Sequence, residues 1–474
     1  MAGTVTATVP HVVVVGGGFG GLWAARALRR APVSVTLVDR RNHHVFQPLL
    51  YQVATAALSP ADIAAPIRGI LRRDRATEVL LAEVTGFDLD ARRVLLRERH
   101  ALAYDYLIVA TGATHAYFGH PEWEPLAPGL KTIEDATEVR RRFLLAFEAA
   151  EQEDDPVERG ALLTFVIIGG GPTGVEMAGA WAEIARHALL RDFRSIDPST
   201  ARIILLEGGP RLLPAYPEQL SAFTERALRR VGVEVRTGAM VTHIDESAVH
   251  VGNERIHTHN VVWAAGITAS PLGRALGAET DRVGRVKVRP DLSLPDRPQV
   301  FVVGDLAVLD GPDGKPLPGV AQVAMQGGQC AARNIIRTLR GEARRPFRYR
   351  NKGNMAVIGR RAAVLDAPWA RAKGWIAWVL WLTIHLLFLV GFRNRIAVMM
   401  EWAWNYLTWQ RGARLITGEV TPELVPHSGH RHGPDGPSRR DAEKAEAQGQ
   451  GVPADTESEG WMGGDAHQAG GGAG

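Results

Sequence analysis

Cysteine is almost missing from this chain. Cys330 is the single one in 474 residues, so the chain can form no internal disulfide, redox dithiol or thiolate metal cluster. Long runs of one charge are also lacking. Nearly all the basic residues are arginines interleaved with acids, the formal net charge is only +4, and no long basic block precedes the tail. Nucleic acid is therefore not an expected partner, despite the basic pI. The opening MAGTVTATVP has no basic segment leading into an apolar one. No secretory signal is expected, and the body should stay in the cytoplasm. His43 and His44 have no further ligands at helical spacing, which predicts a polar loop and no metal.

What remains is an ordinary globular composition, 46% hydrophobic and 22% charged, in a chain too long for one core. Two or three domains are expected. A run of valines, Val12 to Val15, enters a glycine cluster in which Gly16, Gly18 and Gly21 stand at G-x-G-x-x-G spacing. Leu22, Ala25 and Leu28 then share a helix face, and a second apolar run ends on Asp39, 21 residues after Gly18. That is the strand–helix–strand fingerprint of a dinucleotide site. Gly16 allows the tight turn, Gly18 lets the backbone approach a pyrophosphate, and Gly21 lets the helix pack close. The helix N-terminus attracts the phosphates, and Asp39 can accept from a ribose hydroxyl.

Further on, Ser59 with Pro60 reads as a helix start, and Glu78 to Leu96 alternates as short antiparallel strands. Tyr104 to Val109 reads as a buried strand ending in Ala110-Thr111-Gly112, suited to a backbone passing close to a dinucleotide. The fingerprint then repeats in FVIIGGGPTGVE, with Gly169, Gly171 and Gly174 at the same spacing and Pro172, Thr173 and Glu176 beside them. Val175, Met177, Ala178 and Trp181 follow on the helix. Its second strand ends on Glu207, 36 residues after Gly171 because a loop intervenes. An acid there favours the ribose diol of NADH over the 2′-phosphate of NADPH. This second unit, 117–265, sits between Ala110-Thr111-Gly112 and a strand from Val300 to Val303 that ends in Gly304-Asp305. The outer domain, in two pieces (10–116 and 266–340), is therefore expected to hold FAD and the inserted one NADH.

The chain resembles the type II NADH dehydrogenases, flavoenzymes that pass electrons from NADH to quinone. The resemblance runs from about 10 to 415. It rests on both fingerprints, FQPLLYQVA, WAAGI at 263–267, VVGD at 302–305, AQVAMQGGQ at 321–329, KGNMAVIGR at 352–360 and HLLFLVGFRNR at 385–395. It implies an FAD site at Gly16, Gly18, Phe19, Gly20, Gly21, Asp39, Arg40, Ala110, Thr111, Gly112 and Asp305. The NADH site would use Gly169, Gly171, Pro172, Thr173, Gly174, Glu176, Glu207, Ala265 and Gly266. Glu176 has two meanings, a first-turn acid matching the helix dipole or a group near nicotinamide and flavin. Ala321, Gln322 and Gln326 would meet the quinone, since amides both donate and accept; the bland alternative is two helix glutamines in ordinary hydrogen bonds. Lys352 is either a surface lysine or a cation near the quinone. Cys330 is expected to pack in a helix.

Trp375 to Phe392 is nearly continuous apolar sequence, and seven of the twelve tryptophans fall between Trp369 and Trp409. Eighteen such residues just reach the length of a membrane span, yet basic residues flank both ends. The resembled family is monotopic, which favours C-terminal helices lying on the cytoplasmic face of the membrane. The resemblance also implies pairing of copies there, and no proton pumping. Beyond 426 a Gly- and His-rich tail is expected to be disordered. The expected architecture is α/β: two Rossmann-like domains plus a C-terminal membrane-associated helical region, 341–425. A disulfide oxidoreductase of this architecture needs a cysteine pair that is absent. A soluble NADH:ferredoxin-type reductase lacks a use for the tryptophan-rich end. An NADH-sensing flavoprotein would differ by reducing its flavin without turnover.

Overall fold

The computed structural model describes residues 9–418; the histidine-bearing tail from 426 lies outside them. The labelled strands are β1 (His11–Val15), β2 (Ser34–Asp39), β3 (Thr77–Leu81), β4 (Tyr106–Val109), β5 (Thr164–Ile168), β6 (Arg202–Glu207), β7 (Val233–Thr237), β8 (Asn260–Trp263), β9 (Val300–Val302), β10 (Asn354–Gly359), β11 (Ala362–Ala367) and β12 (Ala370–Gly374). The labelled helices are α1 (Phe19–Leu28), α2 (Leu50–Ala54), α3 (Pro172–Glu183), α4 (Ala321–Leu339), α5 (Trp375–Phe388) and α6 (Phe392–Thr408).

The valine run is an interior strand. Val12, Val13 and Val14 are fully buried, as expected of a parallel sheet covered on both faces. Five strands lie in the order β9-β4-β1-β2-β3, all parallel. The inserted segment repeats the device as β7-β6-β5-β8, again parallel. The late strand β9 pairs with β4, so the first sheet is completed after the insertion. Ala113–His115 pairs antiparallel with Ile267–Ala269 where the chain leaves and re-enters. Helix α4 lies across α1 so closely that a Cβ on Gly328 would stand 2.1 Å from the Gly20 carbonyl oxygen.

Three readings of the sequence change. Thr77–Leu81 is not part of an antiparallel pair but the parallel edge strand beside β2; only Val84–Asp88 and Arg93–Leu96 pair antiparallel. Alternation with period two marks a half-covered strand of either kind and cannot choose between them. His44 is no loop residue either: it is buried in the short strand His43–Val45, with Nδ1 3.0 Å from the Gly17 carbonyl oxygen. The C-terminal region, expected to be helical, begins with an antiparallel sheet, β10-β11-β12.

The apolar run also does not make one helix. Leu389 is extended and Gly391 takes φ +97°, which ends α5 after 14 residues and turns the chain into α6. Among the described residues no helix is long and apolar enough to cross a membrane. Helix α6 instead docks on the segment around α2. Trp402 Nε1 donates to Gln52 Oε1 (2.7 Å), Asn405 to the Ala57 carbonyl (3.2 Å) and Asn394 to the Ala61 and Ala64 carbonyls (3.2 Å each). The helix start read at Ser59 is present, with Ser59 and Asp62 forming a reciprocal capping box.

Two glycine substitutions separate close packing from mere permissiveness. Gly328→Ala should lower stability by roughly 1–3 kcal/mol or more, because backbone cannot yield to the new methyl. Gly160→Ala, in the helix Pro156–Leu162 with nothing within 4 Å of the added Cβ, should raise it by up to about 1 kcal/mol. Urea midpoints of the two variants check both signs.

Candidate functional site

The two glycine loops are built alike, atom for atom. Gly16 takes φ +103° and Gly169 φ +114°. A Cβ on either would stand 2.5 Å from a carbonyl oxygen of the neighbouring strand end, Ala110 in one case and Ala264 in the other. Gly21 and Gly174 press on the same loops, with a Cβ placed 1.8 Å from the Gly16 and Gly169 oxygens respectively. Of the glycines in the two loops, only Gly18 and Gly171 have nothing within 4 Å. Only at these middle glycines is the space open, which is where a pyrophosphate must come close.

Both strand-end acids also do one job that spacing did not reveal. Asp39 Oδ2 accepts from the Gly17 N–H (2.5 Å) and Oδ1 from the Arg41 N–H (2.7 Å). Glu207 Oε2 accepts from the Gly170 N–H and Oε1 from the Gly209 N–H, both at 2.6 Å. Each carboxylate thus pins the loop next to it, and its remaining lone pairs are open to a ribose hydroxyl.

Around the first loop the sheet gathers Ala110-Thr111-Gly112, Gly304 and Asp305, since β1, β4 and β9 are neighbours. Gly304 adjoins Ala324 near the start of α4, and Gly319 adjoins Asp305. The Thr111 hydroxyl oxygen is buried with no partner among the described residues. An unpaired buried hydroxyl, beside an open glycine at the carboxyl ends of a parallel sheet, fits a bound dinucleotide. Arg40 is exposed. The Phe19 ring packs on His44 and Phe46 instead, with centroids 5.0 and 6.0 Å away, and Gly20 serves the α1–α4 contact. Around the second loop stand Pro172, Thr173 and Ala265, while a Cβ on Gly266 would meet the Phe118 ring at 2.6 Å.

Glu176 is half-buried and does not act on the helix dipole alone. It lies one turn before Gly179, where α3 touches β10: a Cβ on Gly179 would be 1.7 Å from the Ile358 carbonyl oxygen. The Val357 N–H reaches Glu176 Oε1 at 3.3 Å. Burial pushes the Glu176 carboxyl up to about 8, against the opposing effect of that N–H. Glu176 lines a cavity of about 480 Å³ shared with Tyr51, Gln52, Trp381, Leu386 and Trp402. Gln52 donates to the Tyr51 hydroxyl (2.9 Å), and burial raises the Tyr51 phenol well above its ordinary range. At another wall Arg411 pairs with Glu183 (3.3 Å), and burial lowers the Arg411 guanidinium. Thr55 Oγ1, Trp381 Nε1 and Asn405 Oδ1, all on lining residues, are buried without partners among the described residues. The cavity is apolar with a few unanswered polar atoms, as small flat ligands require.

The glutamine pair does share one face of α4, but its amides are occupied. Gln322 donates to the Gly353 carbonyl (2.8 Å) and accepts from the Lys352 N–H (3.1 Å). Gln326 donates to and accepts from the Arg350 backbone, both at 3.0 Å. Together they strap 350–353 to α4, and that strap runs directly into β10 and so to Val357 and Glu176. Neither glutamine, nor Ala321 or Lys352, is among the residues lining the large cavity. Lys352 is exposed, with Nζ 5.5 Å from the centre of the Phe388 ring. Cys330 sits half-buried in α4, and burial pushes its thiol up to about 11, far from a reactive thiolate. His385 stacks on Trp381 at 4.2 Å and burial pushes it down to about 4.

The sequence reading missed Tyr51, Gln52, Trp381, Trp402 and Arg411. A signal existed in FQPLLYQVA, where a glutamine and a tyrosine sit inside an apolar run. All five residues of α2 are buried, and buried polar groups call for partners.

Known proteins share this arrangement. Residues 10–328 match the family model described as pyridine nucleotide-disulphide oxidoreductase, and residues 351–409 match the NDH2 C-terminal domain. The chain is 46% identical over 424 residues to the type II NADH:quinone oxidoreductase Ndh of Mycobacterium tuberculosis, covering 86% of this chain and 90% of that protein. It is 30% identical over 378 residues to the type II NADH:quinone oxidoreductase of Staphylococcus aureus, covering 76% and 91%. In fold it is similar to NDH2 from Plasmodium falciparum, solved in complex with NADH, with a TM-score of 0.78 at 20% identity over 86% of this chain and all of that one. At these identities and coverages the chain belongs to the family of type II NADH:quinone oxidoreductases.

Proposed function

We propose that this chain is an FAD-dependent NADH:quinone oxidoreductase that passes two electrons from NADH to a membrane quinone. The observation that carries the reading is the apolar cavity with Glu176, Tyr51 and Gln52 in its wall, between α3 and the two C-terminal helices. When bound, the flavin accepts a hydride and hands on two electrons. The residues Gly16, Gly18, Gly20, Gly21, Asp39, Ala110, Thr111, Gly112 and Asp305 would hold it, with the backbone of Phe19 at the helix start. Gly169, Gly171, Pro172, Thr173, Gly174, Glu207, Ala265 and Gly266 would hold NADH.

Reduction of a quinone to a quinol takes two electrons and two protons; the hydride of NADH brings both electrons and one hydrogen nucleus, so one further proton must be supplied. Glu176, with its carboxyl pushed up to about 8, holds one at neutral pH in a place with little water, as a proton donor should. Trp381 and Leu386 keep water out, and the unpartnered Thr55 hydroxyl and Trp381 Nε1–H offer donors to quinone oxygens. Gln322 and Gln326 serve the same site by fixing the strap that carries Val357 to Glu176, with Lys352 beside Phe388. The proposed divisions at 116/117, 265/266 and 340/341 fall in connections between elements.

Exposed apolar side chains on α5 and α6, among them Trp375, Leu387, Phe392, Met400 and Leu407, support attachment to one membrane face. Helices of this kind lie in the interface with their apolar side inserted. We place that attachment on the cytoplasmic side, with copies paired through the same region. Other tryptophans of this stretch, Trp381 above all, turn inward to the cavity.

Three outcomes test the reading. NADH oxidation by the purified flavoprotein should require an added ubiquinone or menaquinone analogue; stoichiometric flavin bleaching without turnover would reject it. NADH should exceed NADPH by more than about tenfold in kcat/KM, because a 2′-phosphate would face the Glu207 carboxylate. Gly171→Ala should raise the NADH KM and leave flavin content intact, whereas Gly18→Ala should lower flavin content.

A pH experiment isolates Glu176. Its carboxyl titrates near 4.5 in the unfolded chain and near 8 in the folded one, so between those values the folded state holds a proton that the unfolded state has lost. Stability therefore falls as pH rises through that window, by at most about 1.4 kcal/mol per pH unit, and the contribution is fully present only below 4.5. Glu176→Gln should lose this slope and be the more stable protein at the upper end. Urea midpoints of both proteins across the window measure it, and parallel curves would refute the burial of a neutral carboxyl.

A further inference from the structure

Behind the wall formed by Glu183, Arg360, Tyr406 and Trp409 lies a second cavity of about 590 Å³. Its charge is one-sided. Arg186, Arg230, Arg360 and Arg361 line it with His187, and Glu183 is the one acid. Glu183 is already engaged, by Arg411 at 3.3 Å and by the Arg360 backbone N–H at 2.5 Å. Among the described residues none of the four lining arginines makes an ion pair.

The cluster is built rather than incidental. Helix α3 continues into a π-helical turn, Ile184–Ala188, a rare conformation that re-aims side chains and recurs at functional sites. It delivers Arg186 and His187 together. Arg186 donates to the Gly232 carbonyl (3.0 Å), and a Cβ at Gly232 would strike its guanidinium at 2.4 Å. The Arg186 NH1 is buried with no partner among the described residues. Arg360 is held over two rings, 4.1 Å from the centre of Tyr406 and 3.9 Å from that of Trp409. Arg361 adopts φ +61° and reaches the Tyr406 hydroxyl through Nε at 2.7 Å; a left-handed arginine is strained and persists where its surroundings fix it. Like charges gathered with unanswered N–H groups await an anion, and planar guanidinium groups match the oxygens of a phosphate.

We propose that this cavity binds the phosphate of an anionic membrane lipid. Lipid is favoured over free phosphate because Tyr406 and Trp409 belong to the end of α6, where Trp404 and Leu407 are exposed. Acyl chains have an apolar surface to follow from the same place. The proposal rests on the reading that α5 and α6 lie on a membrane, and adds to it a defined headgroup site.

The test is sedimentation of the full-length holoenzyme with vesicles of phosphatidylcholine alone, and of phosphatidylcholine with one-third phosphatidylglycerol. The wild type should prefer the mixed vesicles. Arg230→Gln, an exposed change, should weaken binding to them about fivefold, and Arg186→Gln/Arg230→Gln about twentyfold. Binding to phosphatidylcholine and flavin reduction by NADH should not change. Lys373→Gln/Arg393→Gln removes the same charge from the flanks of α5 and α6 and should cost clearly less; an equal cost would make the attraction diffuse and overturn the site. Inorganic phosphate that raises the thermal midpoint of the wild type but not of the double variant, with vesicle preference unaltered, would assign the site to free phosphate and overturn the lipid. Failure to bind either vesicle would overturn the membrane reading, and the headgroup site with it.

Discussion

The cavity lined by Glu176 depends on a contact between two backbones. Helix α3 can lie against strand β10 only because residue 179 has no side chain; a methyl there would fall 1.7 Å from the Ile358 carbonyl oxygen. The closeness has consequences on both sides. One turn earlier on the helix it sets Glu176 beside the Val357 N–H. One turn later it brings Glu183 to the Arg360 N–H. The first acid is left in an apolar cavity, where burial pushes its carboxyl up to about 8; the second divides that cavity from the arginine cluster behind it. A single approach distance thus places both carboxyls against the β10 backbone.

The two nucleotide loops obey a different constraint, and obey it twice. In each, one glycine takes a positive φ, one touches the loop from the helix, and only the middle one stays open. The strand-end acids close the arrangement by bonding the loop N–H groups. That second duty explains why a carboxylate there is well placed before any ligand arrives: its position is fixed by backbone, so little order remains to be imposed on binding. Close helix packing continues at Gly328 against Gly20, which seats α4 and with it the glutamines that hold the 350–353 strap.

How much of the site could be read in advance follows from the range of the forces involved. Local rules were enough for the conformation at Gly16 and the close helix packing at Gly21, because such a turn is a matter of a few consecutive residues. The same is true of Ser59 with Asp62. Sequence patterning failed where a partner far along the chain decides the outcome. The edge strand Thr77–Leu81 alternates like a hairpin, and His44 looks like a loop residue until Gly17 and Phe19 close over it. Gln322 and Gln326 were legible as one helix face, yet what that face holds, the backbone of the strap, lies more than twenty residues away.

By itself, then, the sequence carried two dinucleotide fingerprints, a single cysteine that can form no internal pair, and an apolar, tryptophan-rich stretch ahead of the tail. Those features rest on composition and on spacings within one strand–helix–strand unit. Only the tertiary structure decided where the tryptophans go, Trp381 and Trp402 inward to the cavity and Trp375 and Trp404 outward. It likewise decided that the apolar run breaks at Gly391, that burial raises the Glu176 carboxyl, and that four arginines from three separate segments share one cavity. Burial and charge proximity are properties of neighbours in space, and those neighbours come from distant parts of the chain.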